Sequence, residues 1–139
     1  MIIKLEPEIL QVVEKPARYT GHELNAVHKD WESTPCHFAL ALPDVYEVGM
    51  SNLGLKILYE VLNAREDTAC ERVFCPEKRQ QAEYVKTRIP LLSLETQTEL
   101  NRFDIVGFVV SFEMDYFNIL TMLELGKIVP LAKNRSDMD

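Results

Sequence analysis

Asp104-Ile-Val-Gly-Phe-Val-Val-Ser-Phe112 is nearly continuous β-branched and aromatic sequence. It predicts a strand buried on both faces, the habit of a parallel sheet covered by helices. Downstream, Asp115 can cap a helix in which Tyr116, Ile119, Leu120 and Leu123 share a face and Gly126 supplies the stop. Ile128-Val-Pro-Leu-Ala132 reads as a further short strand before a polar tail. Upstream, Phe38-Ala-Leu-Ala-Leu42 is a buried strand ended by Pro43 and Asp44. Ser51 is a good N-cap for a helix whose Leu53, Ile57, Leu58, Val61 and Leu62 recur at helical spacing to about Asn63. Glu71 to Cys75 fits a second strand, and Pro76 opens a polar helix with Ala82 and Val85 as its inner face. Leu91-Leu-Ser-Leu94 reads as a third short strand. Strands alternating with amphipathic helices predict an α/β domain of three layers, a Rossmann-like or flavodoxin-like parallel sheet flanked by helices.

Residues 1–36 read as an N-terminal arm packing on this core, which spans 37–139. In the arm, Ile9, Val12 and Val13 line a short helix interrupted by Pro16, and Tyr19, Leu24, Val27 and Trp31 are the expected contacts with the body.

The chain has 139 residues, 47 % of them hydrophobic, and a net charge of −7. That is the size of one domain, and the acidic balance without a Lys/Arg run argues against a nucleic-acid surface. No apolar stretch approaches the roughly 20 residues of a membrane helix. No signal-peptide pattern is visible, and three cysteines are an odd count, so free thiols in the cytoplasm are expected.

In an open parallel sheet, ligands bind beyond the carboxyl ends of the strands. Two loops there carry unusual residues. Pro43-Asp-Val-Tyr-Glu-Val-Gly-Met-Ser-Asn-Leu-Gly54 offers glycines for close backbone approach and helix N–H groups for an anion. It reads equally as a tight strand-to-helix turn with a Ser cap. Ser111-Phe-Glu-Met-Asp-Tyr-Phe-Asn118 carries Glu113 and Asp115; capping is the default for Asp115, and Glu113 is the better candidate to meet a ligand. The candidate rim is Asp44, Tyr46, Glu47, Gly49, Met50, Ser51, Ser111 and Glu113. No G-x-G-x-x-G, Walker, H-E-x-x-H or G-x-S-x-G pattern is present, and no catalytic residue or metal ligand is assigned.

Several stretches carry a family resemblance: Lys15-Pro-Ala-Arg-Tyr-Thr-Gly21, Leu24-Asn-Ala-Val-His-Lys-Asp-Trp31, Ala39 to Gly54, Ile57-Leu-Tyr59 and Phe103-Asp-Ile-Val-Gly-Phe108. Together they resemble the N-terminal domain of a family of radical SAM (S-adenosylmethionine), iron–sulfur oxidoreductase-like proteins, whose front domain looks like a cobalamin-binding module. The resemblance implies an accessory domain forming part of a substrate or corrinoid pocket beside a downstream catalytic barrel. In the cobalamin pattern D-x-H-x-x-G, this chain has Asp44-x-Tyr46-x-x-Gly49, with tyrosine at the ligand position, and of the S-x-L pattern only Ser111 is matched, since Glu113 replaces the Leu. Cys36, Cys70 and Cys75 cannot make the C-x-x-x-C-x-x-C run that holds a 4Fe-4S cluster. The resemblance therefore places the cluster and SAM in a downstream domain, and this chain alone is not expected to perform radical chemistry.

In the sheet order 2-1-3-4-5, a chain ending near Asp139 lacks the last two strands and leaves the Asp104–Phe112 strand with an open apolar edge. Self-association through that edge, or its pairing with Ile128–Leu131, is the expectation. The alternative classes are a protein-interaction module with no small-molecule ligand and a free-standing small enzyme using Glu113 and Tyr46.

Overall fold

The computed structural model describes residues 21–135. Strand β1 (Cys36–Leu42) leads into a short helix α1 (Tyr46–Ser51), helix α2 (Leu53–Asn63) and strand β2 (Thr68–Phe74). Helix α3 (Lys78–Thr87), a long loop, strand β3 (Ile105–Phe108) and helix α4 (Asp115–Leu125) complete the order. The three strands form a parallel sheet in the order β2-β1-β3, with Cys36 opposite Thr68 and Phe38 opposite Ile105. Parallel neighbours need crossover connections, which the helices supply. The α/β class read from the sequence is the observed one.

Alternation along the strands splits the core in two. Ala39, Ala41, Val73 and Cys75 pack with Tyr84 of α3 and with Met122 and Leu125 of α4. Leu40, Leu42, Cys70 and Phe74 face the other way, onto Leu55 and Tyr59 of α2. Helices α1 and α2 therefore cover one face and α3 and α4 the other, which gives the three layers.

Strand β2 lies at one end of the order yet is buried along its whole length. The segment 91–99 closes that edge. Leu94 N donates to Arg72 O at 2.8 Å, and Arg72 N donates to the Glu95 carboxylate at 2.8 Å. The Glu71 carboxylate accepts from Ser93 Oγ at 2.5 Å and from Thr96 Oγ1 at 2.8 Å. Leu91–Leu94 is thus not a strand of the sheet; it makes one isolated antiparallel bridge, between Leu92 and Glu99.

Strand β3 is the other end, and it corrects the expectation of a strand buried on both faces. It runs for four residues only, Ile105 is exposed and its neighbours are half-buried. Continuous apolar sequence here reflects an edge that no other described strand covers. A groove of about 440 Å³ opens beside it, lined on its apolar side by Phe103, Val106, Phe108, Ile119, Leu123 and Ile128. Ile128–Ala132 does not fold back as a strand; the chain passes instead into a 3-10 turn at Ala132–Asn134.

Other local readings shift as well. Asn52, not Ser51, caps α2: its side chain accepts from Leu55 N at 2.9 Å, while Ser51 ends α1 and donates Oγ to Val48 O at 2.8 Å. On α2 the buried residues are Leu55 and Tyr59, whereas Leu53, Ile57, Leu58 and Val61 are exposed, Leu53 at 70 %. Helix α3 buries Gln80 and Tyr84 rather than Ala82 and Val85, and it starts from a capping box between Glu77 and Gln80. On α4, Leu123 is buried but Tyr116 and Leu120 are exposed. Gly126 ends α4 for reasons of space rather than handedness. Its φ is −76°, and an added Cβ would stand 2.7 Å from Leu100 Cδ2; the left-handed residue is Lys127, at φ 57°.

Of the arm, Tyr19 and the Ile9–Val13 helix lie outside the described residues. Val27 packs on the α2 face of the core and Trp31 on the other. Trp31 stacks on His37 with ring centroids 3.8 Å apart. Leu24 is no anchor, being 99 % exposed.

Candidate functional site

Four chain segments converge over the α2 face of the sheet: the arm around Glu23, the turn Asp44–Ser51, the middle of β2 and the loop at Glu95. Their meeting point is Arg72, whose side chain is 5 % exposed. Alternation in β2 sends Arg72 to the same face as Cys70 and Phe74, towards α2. Its Nε donates to Glu95 Oε1 at 2.6 Å, and the Glu95 side chain is 0 % exposed. Its Cζ lies 4.6 Å from the centroid of the Tyr59 ring, and Nη1 is 3.3 Å from the Met50 sulfur. Glu23 Oε2 stands 3.6 Å from Nη2, while Glu23 Oε1 accepts from the Tyr46 hydroxyl at 2.9 Å.

Burial dominates the electrostatics of this cluster. It raises the Glu95 carboxyl above the usual carboxylate range, against the pull of the Arg72 guanidinium and backbone amide. Burial also opposes charge on Arg72, but Glu95, Tyr59 and Glu23 outweigh it and hold the guanidinium above its ordinary value. Burial pushes the Tyr59 phenol up, and the neighbouring Glu95 charge adds to that. The result is a cation flanked by two carboxylates in a water-poor setting, able to orient an anion or hold two segments together.

The residues proposed from the sequence divide into those that serve this cluster and those on the surface. Tyr46 and Met50 reach Arg72 and its partners. The Tyr46 ring also packs edge-on against Phe74 at 5.5 Å. Gly49 is buried against the same ring, since an added Cβ would fall 2.0 Å from Phe74 Cε1. Asp44 turns inward to accept its neighbour Val45 N at 2.7 Å, and its backbone carbonyl accepts from Cys75 N at 3.0 Å. Glu47, Ser51, Ser111 and Glu113 are exposed. The two loops are joined where Asn118 Nδ2 donates to Pro43 O at 2.8 Å, but no hydrogen bond links Glu113 to Tyr46 among the described residues.

Asp115 does not cap α4: the N-cap position is Met114, which makes no side-chain cap bond. Asp115 is the first residue of α4 and is buried, and its Oδ2 accepts from Ser111 N at 2.7 Å and Phe112 N at 2.9 Å. It therefore holds the Ser111–Phe112 turn in front of the helix. Asp115→Ala removes two charge-assisted hydrogen bonds, should cost about 1–3 kcal/mol, and should raise amide exchange at Ser111 and Phe112 while leaving β1 protected. Hydrogen exchange followed by NMR would show it.

Sequence reasoning missed Glu23, Arg72 and Glu95. One signal was there to use: Glu71-Arg72 sits inside an otherwise apolar strand, and charges in a buried strand require partners. The cysteines do no chemistry in this cluster. Burial pushes the Cys70 thiol up to about 12 and the Cys75 thiol up to about 11. Among the described residues no group of three or more His, Cys, Asp or Glu gathers as a metal ion would need. No described helix is long and apolar enough to cross a membrane.

A corrinoid ligated from below by a residue of the Asp44–Gly49 turn does not fit this arrangement. Tyr46 stands at the ligand position with its hydroxyl bound to Glu23 and its ring against Phe74.

Comparison with known proteins matches the chain to a family model. A family model described as "Radical SAM proteins, N-terminal" covers residues 54–139, more than half of the chain. No curated protein matches, and no solved structure matches.

Proposed function

Since the chain belongs to the N-terminal family of radical SAM proteins, we propose that it is an accessory domain that docks on a radical SAM catalytic domain of the parent protein and forms one wall of its substrate pocket. SAM and a 4Fe-4S cluster are contributed by that partner domain. The role of this chain is to position and enclose, with Glu47, Ser51, Ser111 and Glu113 on the pocket side of the rim.

The observation that carries this reading is the apolar surface left uncovered at three places, the carboxyl end of β3 with the start of α4, the outer row of α2, and the β3 edge. At the carboxyl end of β3, Val110, Phe112, Met114 and Phe117 are exposed, Phe112 at 69 %. On α2, Leu53, Ile57 and Val61 are exposed as well. The β3 edge and its groove add Ile105, Val106 and Phe108. Single apolar side chains need no explanation, but the run from Val110 to Phe117 beside the open β3 edge supports an interaction surface, and the outer row of α2 supports a second area of contact.

Mixing the chain with the parent protein's catalytic domain tests it, with light scattering after size exclusion as the measurement. A one-to-one complex is expected, weakened at least tenfold by Ile57→Lys or Phe112→Lys, with both variants melting like the unsubstituted chain. Two folded domains that do not associate would overturn the reading. Alone, the chain is expected to form a concentration-dependent dimer through β3, which Ile105→Lys suppresses. An interaction module without a pocket predicts the same complex, but Glu113→Ala and Ser51→Ala would then leave turnover by that complex unchanged.

A further inference from the structure

Arg72 commits one side of its guanidinium to Glu95 and leaves the other side mismatched. Nε and the backbone amide serve the Glu95 carboxylate. Among the described residues, the remaining edge, Nη1 and Nη2, has only the Met50 sulfur at 3.3 Å and the Glu23 carboxylate at 3.6 Å. That second distance is beyond hydrogen-bond range, and both Arg72 Nη2 and Glu23 Oε2 are buried without a hydrogen-bond partner among the described residues. A buried orphan donor facing a buried orphan acceptor costs stability on both sides. The charges agree and the alignment does not.

The cause lies in how Glu23 is held. Tyr46 fixes Glu23 Oε1 at 2.9 Å, so the carboxylate cannot swing square to the guanidinium edge. An untethered carboxylate has no such constraint and can take both N–H groups of a planar fork. We infer that the outward edge of Arg72 is a subsite for the carboxylate of a small organic acid, and that Glu23 occupies it as a tethered stand-in which the ligand displaces.

Two further features support the exchange. The charge balance is unchanged when one carboxylate replaces another, so Arg72 remains between two carboxylates as before. The arm around Glu23 is also held by polar contacts that can open: Val27 N donates to the Tyr59 hydroxyl at 2.7 Å, and Leu24 buries nothing. At Gly21, with φ 66°, an added Cβ would fall 2.6 Å from the carbonyl oxygens of both Leu94 and Glu95, so the start of the described arm is wedged in place and displacement of Glu23 has to occur beyond it. The subsite does not depend on docking to a catalytic domain, because every residue in it belongs to this chain.

Calorimetry on the 139-residue chain with succinate as the probe, and inorganic phosphate as the comparison, tests the inference. Glu23→Ala should bind succinate at least tenfold more tightly than the unsubstituted chain, and phosphate more weakly than succinate. In the unsubstituted chain, saturating succinate should speed amide exchange at residues 22–26. A folded Glu23→Ala chain that binds succinate no better than the unsubstituted one overturns the proposal, and tighter binding of phosphate overturns its carboxylate assignment. Should Glu23→Ala fail to fold, Tyr46→Phe releases the tether instead. Freed from Tyr46, Glu23 can square up to the guanidinium, so succinate binding is expected to weaken at least threefold, and an unchanged or tighter affinity there is equally decisive against the subsite.

Discussion

Arg72→Met is expected to destabilise the domain by about 3–5 kcal/mol at neutral pH, the usual cost of leaving a buried charge without its partner. Glu95 is the group stranded. Its side chain is 0 % exposed, and in the variant it keeps a backbone amide but loses the guanidinium. Burial already raises its carboxyl, and removing the cation raises it further. A carboxyl whose folded value lies above its unfolded value contributes stability below the unfolded value and loses it as pH rises through the folded one. The deficit of Arg72→Met should therefore be largest at pH 7 and shrink towards pH 5, as read by urea unfolding at both. Adding Glu95→Leu should restore much of the loss at pH 7, because an apolar pair of similar volume is tolerated where a lone charge is not. A deficit independent of pH and not relieved by the second substitution would mean that Arg72 matters through packing alone.

Leu55→Ala carries the second large effect, about 2–5 kcal/mol for a core leucine. Leu55 is 0 % exposed and, with Tyr59, is what α2 buries. The informative control is Ile57→Ala on the same helix, expected to stay within about 0.5 kcal/mol because its side chain is exposed. Thermal melts of the isolated chain separate the two at once. Equal losses would mean that Ile57 is buried in solution, and the docking surface proposed for α2 would disappear with it.

That contrast also marks where sequence reading succeeds and where it stops. Strand β1, strand β2 and helix α2 follow from local pattern, since runs such as Phe38–Leu42 and the spacing of Leu53 to Leu62 report on backbone geometry. Which side of α2 faces the core is a different matter. Leu55 and Tyr59 form the buried row, while Leu53, Ile57 and Val61 form a second apolar row, and periodicity alone does not rank two rows. The same holds for β3, whose composition suits a strand covered on both sides although the described structure leaves it at an edge.

The charged cluster was hidden for another reason. Glu23, Arg72 and Glu95 come from the arm, a strand and a loop, and their contacts span 23 residues between Arg72 and Glu95. No local window contains that pair. The rim residues stand out in the sequence because their loop is unusual in itself, but the contacts of Tyr46 and Met50 with the charged cluster depend on partners brought in by the fold.

The two ends of the sheet are unequal, and this limits what the molecule can build. The β2 side has no main-chain groups to offer at Arg72, because Leu94 and Glu95 already use them. Among the described residues, only β3 leaves an edge for a visiting strand. A body with a single sticky flank saturates after one encounter: two copies meet, each masks the other, and growth ends. Fibre formation needs two such flanks on every subunit, so the self-association proposed for β3 would end at pairs rather than polymers.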